Sequence, residues 1–373
     1  MKKVFCFLLA FGALLMTGCA RGEARLWAVG VGKGDAILIQ NEDCTVLIDT
    51  GKGYAAGKLR RAMAEMGVEK LDAVFLTHVD NDHAGGLTYL AQAGIPVDAW
   101  YASPCFFKFK KKKHPIRQIG QEPQWLEAGA TVRFGETEFQ VLAPLSKSET
   151  EENDNSLVLM MVCPDGRMLL TGDMEGPEEE ALLQSGADLA CQVLKVPNHG
   201  DDDATGAGLA NAAGAQIAVI STDSSEKPGT PDAGVVARLE QAGSQVWVTE
   251  GHGGVEVRLN QGAAAAGYLD WALSEFYGDV RLAVDAETER MTLENTGDKD
   301  VSLKDWYLYS EAGNELFLLG DEALPAGGQL VVGTKSSPEG TYDVLWNEKN
   351  VISNKKQDTV TLYDPEGRGV SAY

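Results

Sequence analysis

Positive charge is in short supply in this chain: 32 Lys and Arg stand against 55 Asp and Glu, a formal net charge of −23 over 373 residues. A surface of that sign repels phosphates, which excludes a general affinity for nucleic acid and requires that any polyanion be met by positive charge gathered locally. Cysteine is scarce too. The six residues sit far apart without paired spacing, so neither a zinc ribbon nor a dense disulfide framework is indicated. The N-terminal apolar run, residues 4–16, is too short to span a bilayer comfortably as a permanent helix. Lys2 and Lys3 precede it and the small residues Thr17 and Gly18 follow, which is the layout of an export signal.

The rest of the sequence has enough to fold. Its 44% hydrophobic content supports globular structure, and 373 residues exceed the size at which one core keeps growing, so two domains are expected. From Arg25 onward short apolar runs alternate with amphipathic stretches. Strands are expected at 26–29, 35–40, 45–49, 71–76, 97–101, 130–134, 137–142, 156–163, 167–171, 190–196, 216–221, 245–249 and 254–259. Helices are expected at 55–66, 85–92, 177–184 and 233–242. Strands followed by mixed β and α units, twice over, describe two sheets sandwiched between helices. Residues 262–267, a glycine-bounded run of alanines, read as a linker or short connecting helix. Beyond it come closely spaced strand candidates at 280–284, 290–294, 301–309, 315–319, 329–332, 344–346, 359–363 and 369–372, with no helical period, as in a small β-sandwich.

Residues 71–76, a buried-strand candidate, run directly into Thr77-His78-Val79-Asp80-Asn81-Asp82-His83, and a helix starts just after. Four potential metal ligands therefore crowd one strand-to-helix loop. Imidazole and carboxylate together suit zinc, manganese or iron, whereas an all-oxygen set would suit magnesium or calcium. Followed by Ala84-Gly85-Gly86, this string resembles the metal-binding motif of the metallo-β-lactamase superfamily, in the form carried by the ComEC family, which has Asp at the place taken here by Asp80. Gly32-Lys33-Gly34-Asp35-Ala36, Leu47-Ile48-Asp49-Thr50-Gly51, Asn153-Asp154-Asn155-Ser156 and Leu169-Leu170-Thr171-Gly172-Asp173 resemble further segments of that family.

The resemblance covers about residues 25–260 and implies an αββα metallo-β-lactamase sandwich. It implies two divalent ions, zinc or manganese, with His78 and Asp80 on one, Asp82 and His83 on the other, Asp173 between them, and His199 a further ligand. Two such cations lower the pKa of a water held between them and stabilise the charge that develops on a phosphoryl or acyl oxygen. Asp82 is the candidate general base. Asp49, Asn155 and Asn198 are expected to orient ligands or water rather than bind metal. Two departures stand out: Asn198-His199-Gly200-Asp201 replaces a paired His-His, and Thr230 stands where the family often has a histidine.

Residues 276–373 resemble a lamin-tail domain, an immunoglobulin-like all-β sandwich, through Leu293-Glu294-Asn295-Thr296-Gly297, Leu303-Lys304-Asp305-Trp306 and Asp358-Thr359-Val360-Thr361-Leu362-Tyr363-Asp364. Met16-Thr17-Gly18-Cys19 resembles the lipobox of bacterial lipoproteins, with Cys19 as the lipidated residue. The resulting division is a signal peptide at 1–18, a tether at 19–24, a hydrolase domain at 25–261, a linker at 262–275 and a β-sandwich at 276–373. The expected protein is a metal-dependent hydrolase anchored outside the cell membrane through Cys19, with a phosphodiester substrate, nucleic acid above all. Positive charge for such a partner is gathered in one segment, where Lys108, Lys110, Lys111, Lys112 and Lys113 are interleaved with Phe106, Phe107 and Phe109. A hydrolase of a small ester, lactam or phosphate, and a non-catalytic surface-binding lipoprotein with a degraded metal site, stay open as alternatives.

Overall fold

A computed structural model describes residues 23–105, 119–120, 122–271, 278–352 and 358–373. Cys19, the signal segment and the lysine-rich run 106–114 lie outside the described residues. None of the helices among the described residues is long and apolar enough to cross a membrane.

Two sheets form the first domain. The first has eight strands, in spatial order Ala263–Tyr268, Gly254–Asn260, Ala24–Val29, Ile37–Gln40, Thr45–Ile48, Leu71–Leu76, Val97–Ala102 and Gln124–Trp125. The second has seven: Gln245–Val248, Ile217–Ile220, Val193–Lys195, Gly166–Leu170, Val158–Cys163, Thr137–Ala143 and Thr131–Phe134. Each is antiparallel over one part and parallel over the other. Their facing surfaces bury Ile37, Ile39, Val46, Phe75, Phe139, Leu159, Met161 and Leu170 in one core, with Phe75 stacked 4.8 Å from Tyr101 and 5.0 Å from Phe139. The outer faces are covered by helices Ala56–Glu65 and Leu87–Gln92 on one side and Gly176–Gln184, Ala207–Ala213 and Ala233–Gln241 on the other. This is the expected αββα sandwich.

The helices follow from local signals. Ala233–Gln241 is capped by Asp232, whose carboxylate accepts from the amides of Gly234 and Val235, two of the donors that a helix start leaves unpaired. Ala56–Glu65 buries Leu59, Ala62 and Met63, spaced for one face. Residues 262–267 depart from expectation: Ala263–Tyr268 is the edge strand of the first sheet, paired antiparallel with Gly254–Asn260 from Asn260↔Ala263 to Val255↔Tyr268. Gln261 and Gly262, both at positive φ, make the turn, and an alanine run with no polar alternation carries no strand period to read.

The second domain is all β. Val280–Asp285, Arg290–Asn295, Gln329–Thr334 and Val344–Trp346 form one sheet, and Glu315–Leu318, Tyr307–Ser310, Val360–Tyr363 and Gly369–Ala372 a second. Both line one core around Leu293, Trp306, Leu308, Trp346 and Leu362. The single strand expected at 301–309 is split into Val301–Ser302 and Tyr307–Ser310, with Asp305 at φ 65 between them.

This domain docks on helices Ala56–Glu65 and Leu87–Gln92 and the turn at Tyr54. Tyr307 and Leu316 join the core under Ala56–Glu65, and the Tyr307 hydroxyl donates to the Tyr54 carbonyl at 2.5 Å. Arg60 pairs with Asp305 at 2.5 Å, and Gln92 bonds both the Leu316 carbonyl and the Leu318 amide. The approach is tightest at Gly57, where a Cβ would collide with the Gly367 amide and lie 2.6 Å from its Cα. Gly57→Ala is therefore expected to lower stability by about 1–3 kcal/mol through overpacking, although alanine gains about 1 kcal/mol of helix propensity. A urea midpoint equal to or above that of the parent chain would show that the two domains do not meet at this point.

Candidate metal centre

The polar centre forms where parallel strands end. In the first sheet Thr45–Ile48 delivers Asp49 and Leu71–Leu76 delivers the loop 77–83; in the second Gly166–Leu170 delivers Asp173 and Val193–Lys195 delivers His199. Strands running in register hold their carboxyl ends level, so loops from both sheets converge on one crevice. Close backbone approach completes it. The Asp35 amide donates to the Asp82 carbonyl at 3.0 Å, and a Cβ on Gly34 would lie 2.6 Å from that same oxygen, which only glycine tolerates.

Asp49 organises the first half. Its carboxylate accepts from the Thr77 amide at 2.8 Å and the Thr77 hydroxyl at 2.6 Å, and it lies 2.7 Å from His83 Nδ1. His83 Nε2 then points at Asp173 Oδ2, 3.1 Å away. His199 completes the second half. Asn198 and His199 are consecutive left-handed residues, at φ 41 and φ 56, a conformation that asparagine and histidine enter more readily than most. That turn sets His199 Nδ1 2.7 Å from the Ser221 carbonyl, so Nδ1 carries the proton, and Nε2 faces Asp173 Oδ2 at 3.0 Å and His83 Nε2 at 3.3 Å.

Asp82, His83, Asp173 and His199 thus offer ligand atoms all within 4.8 Å of one another. Asp173 Oδ1 and His78 Nε2 are buried, with no hydrogen-bond partner among the described residues. A buried polar atom left unpaired costs about 1–3 kcal/mol, and a cation is the partner that both a carboxylate oxygen and a bare imidazole nitrogen accept. The residues fit a metal. His78 lies beside the group, its ring 4.1 Å from that of His83 and its Nδ1 held by the hydroxyls of Thr77 at 3.1 Å and Ser156 at 3.4 Å. Asp80 is the half-buried residue just before the short helix Asn81–Ala84 and is not among the four grouped ligands.

The electrostatics match the geometry. Burial opposes charge on His83, but Asp173 and Asp49 outweigh it and hold its pKa well above the ordinary 6.5. Burial and the neighbouring His83 push His78 down to about 4, leaving it neutral. Burial disfavours the charged forms of Asp173 and Asp82 as well. It is outweighed at Asp173 by His199 and His83, and at Asp82 by His83, Lys33 and His199, so both carboxyls are held below the usual carboxylate range.

Residues 29–236 match the family described as the Metallo-beta-lactamase superfamily, and residues 273–373 match the Lamin Tail Domain. The chain belongs to the metallo-β-lactamase superfamily. Among curated relatives it is 25% identical to ComE operon protein 3 of Bacillus subtilis over 267 residues, 66% of this chain and 34% of that protein. It is 28% identical to Competence protein ComA of Neisseria gonorrhoeae over 246 residues, 65% of this chain and 33% of that protein. It is 26% identical to Recombination protein 2 of Haemophilus influenzae over 262 residues, 68% of this chain and 31% of that protein. The chain spans about a third of the length of these relatives, which are members of the ComEC family.

Against the superfamily pattern, two expected orienting residues act differently. The Asn155 amide is spent within its own loop, accepting from the Ser148 amide and donating to the carbonyls of Ser148 and Glu151. Its neighbour Ser156 reaches the centre instead, bonding His78 and accepting from the Asp173 amide at 3.2 Å. The Asn198 side chain donates to Asp203 at 2.9 Å, with Glu175 at 3.5 Å, so its contribution to the centre is the backbone turn that aims His199. Thr230, at the place of a family histidine, bonds Thr222 at 2.7 Å. Sequence reasoning missed the buried ion pair of Lys195 and Asp35, 2.7 Å apart and each 1% exposed, and the pairing of Lys33 with Asp82 at 2.5 Å. A lysine inside the apolar run Val193-Leu194-Lys195-Val196 was the available signal, since an uncompensated charge does not stay buried in a strand.

Asp173→Ala and His83→Ala are each expected to lower bound zinc or manganese at least about tenfold with the far-ultraviolet circular dichroism retained. Because the acids around His83 raise its pKa, an incoming ion must displace a proton, so affinity rises as pH is raised through and above the ordinary histidine range, and binding releases protons. Unchanged metal content in both variants, measured by elemental analysis, would remove the assignment.

Proposed function

We propose that this chain is an exported, lipid-tethered, metal-dependent phosphodiesterase that acts on nucleic acid. The observation that carries the reading is the convergence of Asp82, His83, Asp173 and His199, with His78 beside them, at the carboxyl ends of strands from both sheets. Two divalent ions bound there would supply an activated water and stabilise charge on a phosphoryl oxygen. His83 and His199 each present Nε2 while a second contact fixes the ring, Asp49 for one and the Ser221 carbonyl for the other. Asp173 lies between the two imidazoles and suits a shared ligand. Asp82, at the more open edge and ionised, is the candidate proton acceptor.

A nucleic-acid substrate is favoured by the relationship to proteins named for competence and recombination, and by the lysine-rich run. That run lies outside the described residues. Purified protein is expected to hydrolyse DNA, RNA or a generic phosphodiester with added zinc or manganese. Changing Lys110, Lys111, Lys112 and Lys113 together to Gln should weaken oligonucleotide binding and flatten its salt dependence, while turnover of a small phosphodiester holds. No phosphodiester turnover, together with cleavage of an ester or lactam, would establish the small-substrate hydrolase instead.

The tether is tested separately. Cys19→Ser is expected to abolish lipid modification and move the protein out of the detergent-extracted membrane fraction; equal retention of the variant would show that another feature holds it there.

A further inference from the structure

Beside the metal centre, the carboxylate of Glu226 is ringed by donors. The Lys33 amide approaches it at 3.3 Å, and the Lys52 ammonium and Tyr54 hydroxyl both bond it. The floor is Gly32, at φ +84, where a Cβ would collide with Glu226 Oε1 and lie 2.9 Å from the Tyr54 hydroxyl. The cradle is built to bring donors against an anion. Burial and the Glu226 carboxylate raise the Tyr54 pKa, so its hydroxyl keeps its proton. Lys58 adjoins, lining with Gly30, Gly32, Thr222 and Asp223 a cavity of about 240 Å³, and among the described residues no hydrogen bond or ion pair holds its ammonium. In a chain of net charge −23, the Lys52 ammonium, the Tyr54 hydroxyl and the Lys33 amide converge here on one carboxylate, with Lys58 nearby.

The link to the reaction runs through Lys33. Its amide faces the cradle while its ammonium pairs with Asp82 Oδ2, so the anion pocket and the metal-ligating carboxylate are separated by the length of one side chain. Glu226 itself stays within reach of solvent. Its side chain is 26% exposed, and it rides on a surface turn closed by bonds from the Glu226 and Lys227 amides to the Asp223 carbonyl.

We propose that the Lys33 amide, Lys52, Tyr54 and Lys58 form a binding subsite for a substrate phosphate next to the one that is cleaved, and that Glu226 is its resident stand-in, displaced when substrate enters. A phosphate suits this set better than a carboxylate does: it offers more acceptor oxygens to four converging donors, and two ammonium groups favour the higher charge. The subsite rests on the phosphodiesterase reading for the identity of its ligand, and none of its donors is itself a candidate metal ligand.

The test uses the full mature chain and inorganic phosphate, followed by isothermal titration calorimetry. Glu226→Ala is expected to bind phosphate about tenfold more tightly than the parent, because the competing carboxylate is gone, and adding Lys52→Gln should cancel that gain. Phosphate held only at a metal ion would respond to neither change. Glu226→Gln serves as the conservative variant should the alanine chain fold poorly, and is expected to show a gain of the same sign. With an oligonucleotide substrate, Lys52→Gln should raise KM severalfold. Equal phosphate affinity in parent and both Glu226 variants would overturn the subsite even if phosphodiesters are hydrolysed. A Lys52-dependent gain in a protein that cleaves no phosphodiester would uphold the anion site and overturn the proposed function.

Discussion

An imidazole held between two buried carboxylates is the interaction around which this molecule is arranged. His83 lies 2.7 Å from Asp49 and 3.1 Å from Asp173, and none of the three is more than a few per cent exposed. Charges taken out of water are tolerated only where partners are placed with good geometry, and removing one partner leaves the other uncompensated. Here Asp49 and His83 come from the first sheet and Asp173 and His199 from the second, so the polar chain that lines the candidate metal centre also ties the two layers together. The Lys195 and Asp35 pair repeats the device next to it, with lysine from the second sheet and aspartate from the first. A fold that must keep these groups matched cannot let the sheets slide.

The second domain bears on the centre through Tyr54. Its carbonyl accepts from the Tyr307 hydroxyl, its ring meets that of Tyr309 edge-on at 6.1 Å, and its own hydroxyl bonds Glu226. Gly53, next in chain, leaves no room for a side chain, since a Cβ there would lie 2.8 Å from the Tyr309 ring. The lamin-tail domain therefore buttresses one wall of the anion cradle from behind.

Most of the framework was legible because it is periodic. Apolar runs such as Leu71–Leu76 and one-faced helices such as Ala56–Glu65 declare themselves. The misses fall where small residues erase the period. Ala263–Tyr268 has neither bulk nor alternation, and Ala207–Ala213 is almost wholly alanine and glycine, so partners rather than composition decide that one is a strand and the other a helix. At Asp305 a single left-handed residue interrupts what reads as one strand, and no pattern in its neighbours announces it.

The sequence by itself determined the ligand string Thr77-His78-Val79-Asp80-Asn81-Asp82-His83, its place between a buried strand and a helix, and the two-domain order, because these depend on residues that are neighbours in the chain. Only the tertiary structure decided which of those ligands face one another. Asp173 lies 90 residues beyond His83 and His199 116 beyond it, and their meeting requires two sheets stacked with their parallel strand ends level. It decided, too, that Lys195 buries its charge on Asp35 and that Glu226 lies against Lys52 and Tyr54. Side-chain hydrogen bonds across more than a hundred residues have no local signature; they exist only once packing has chosen the partner.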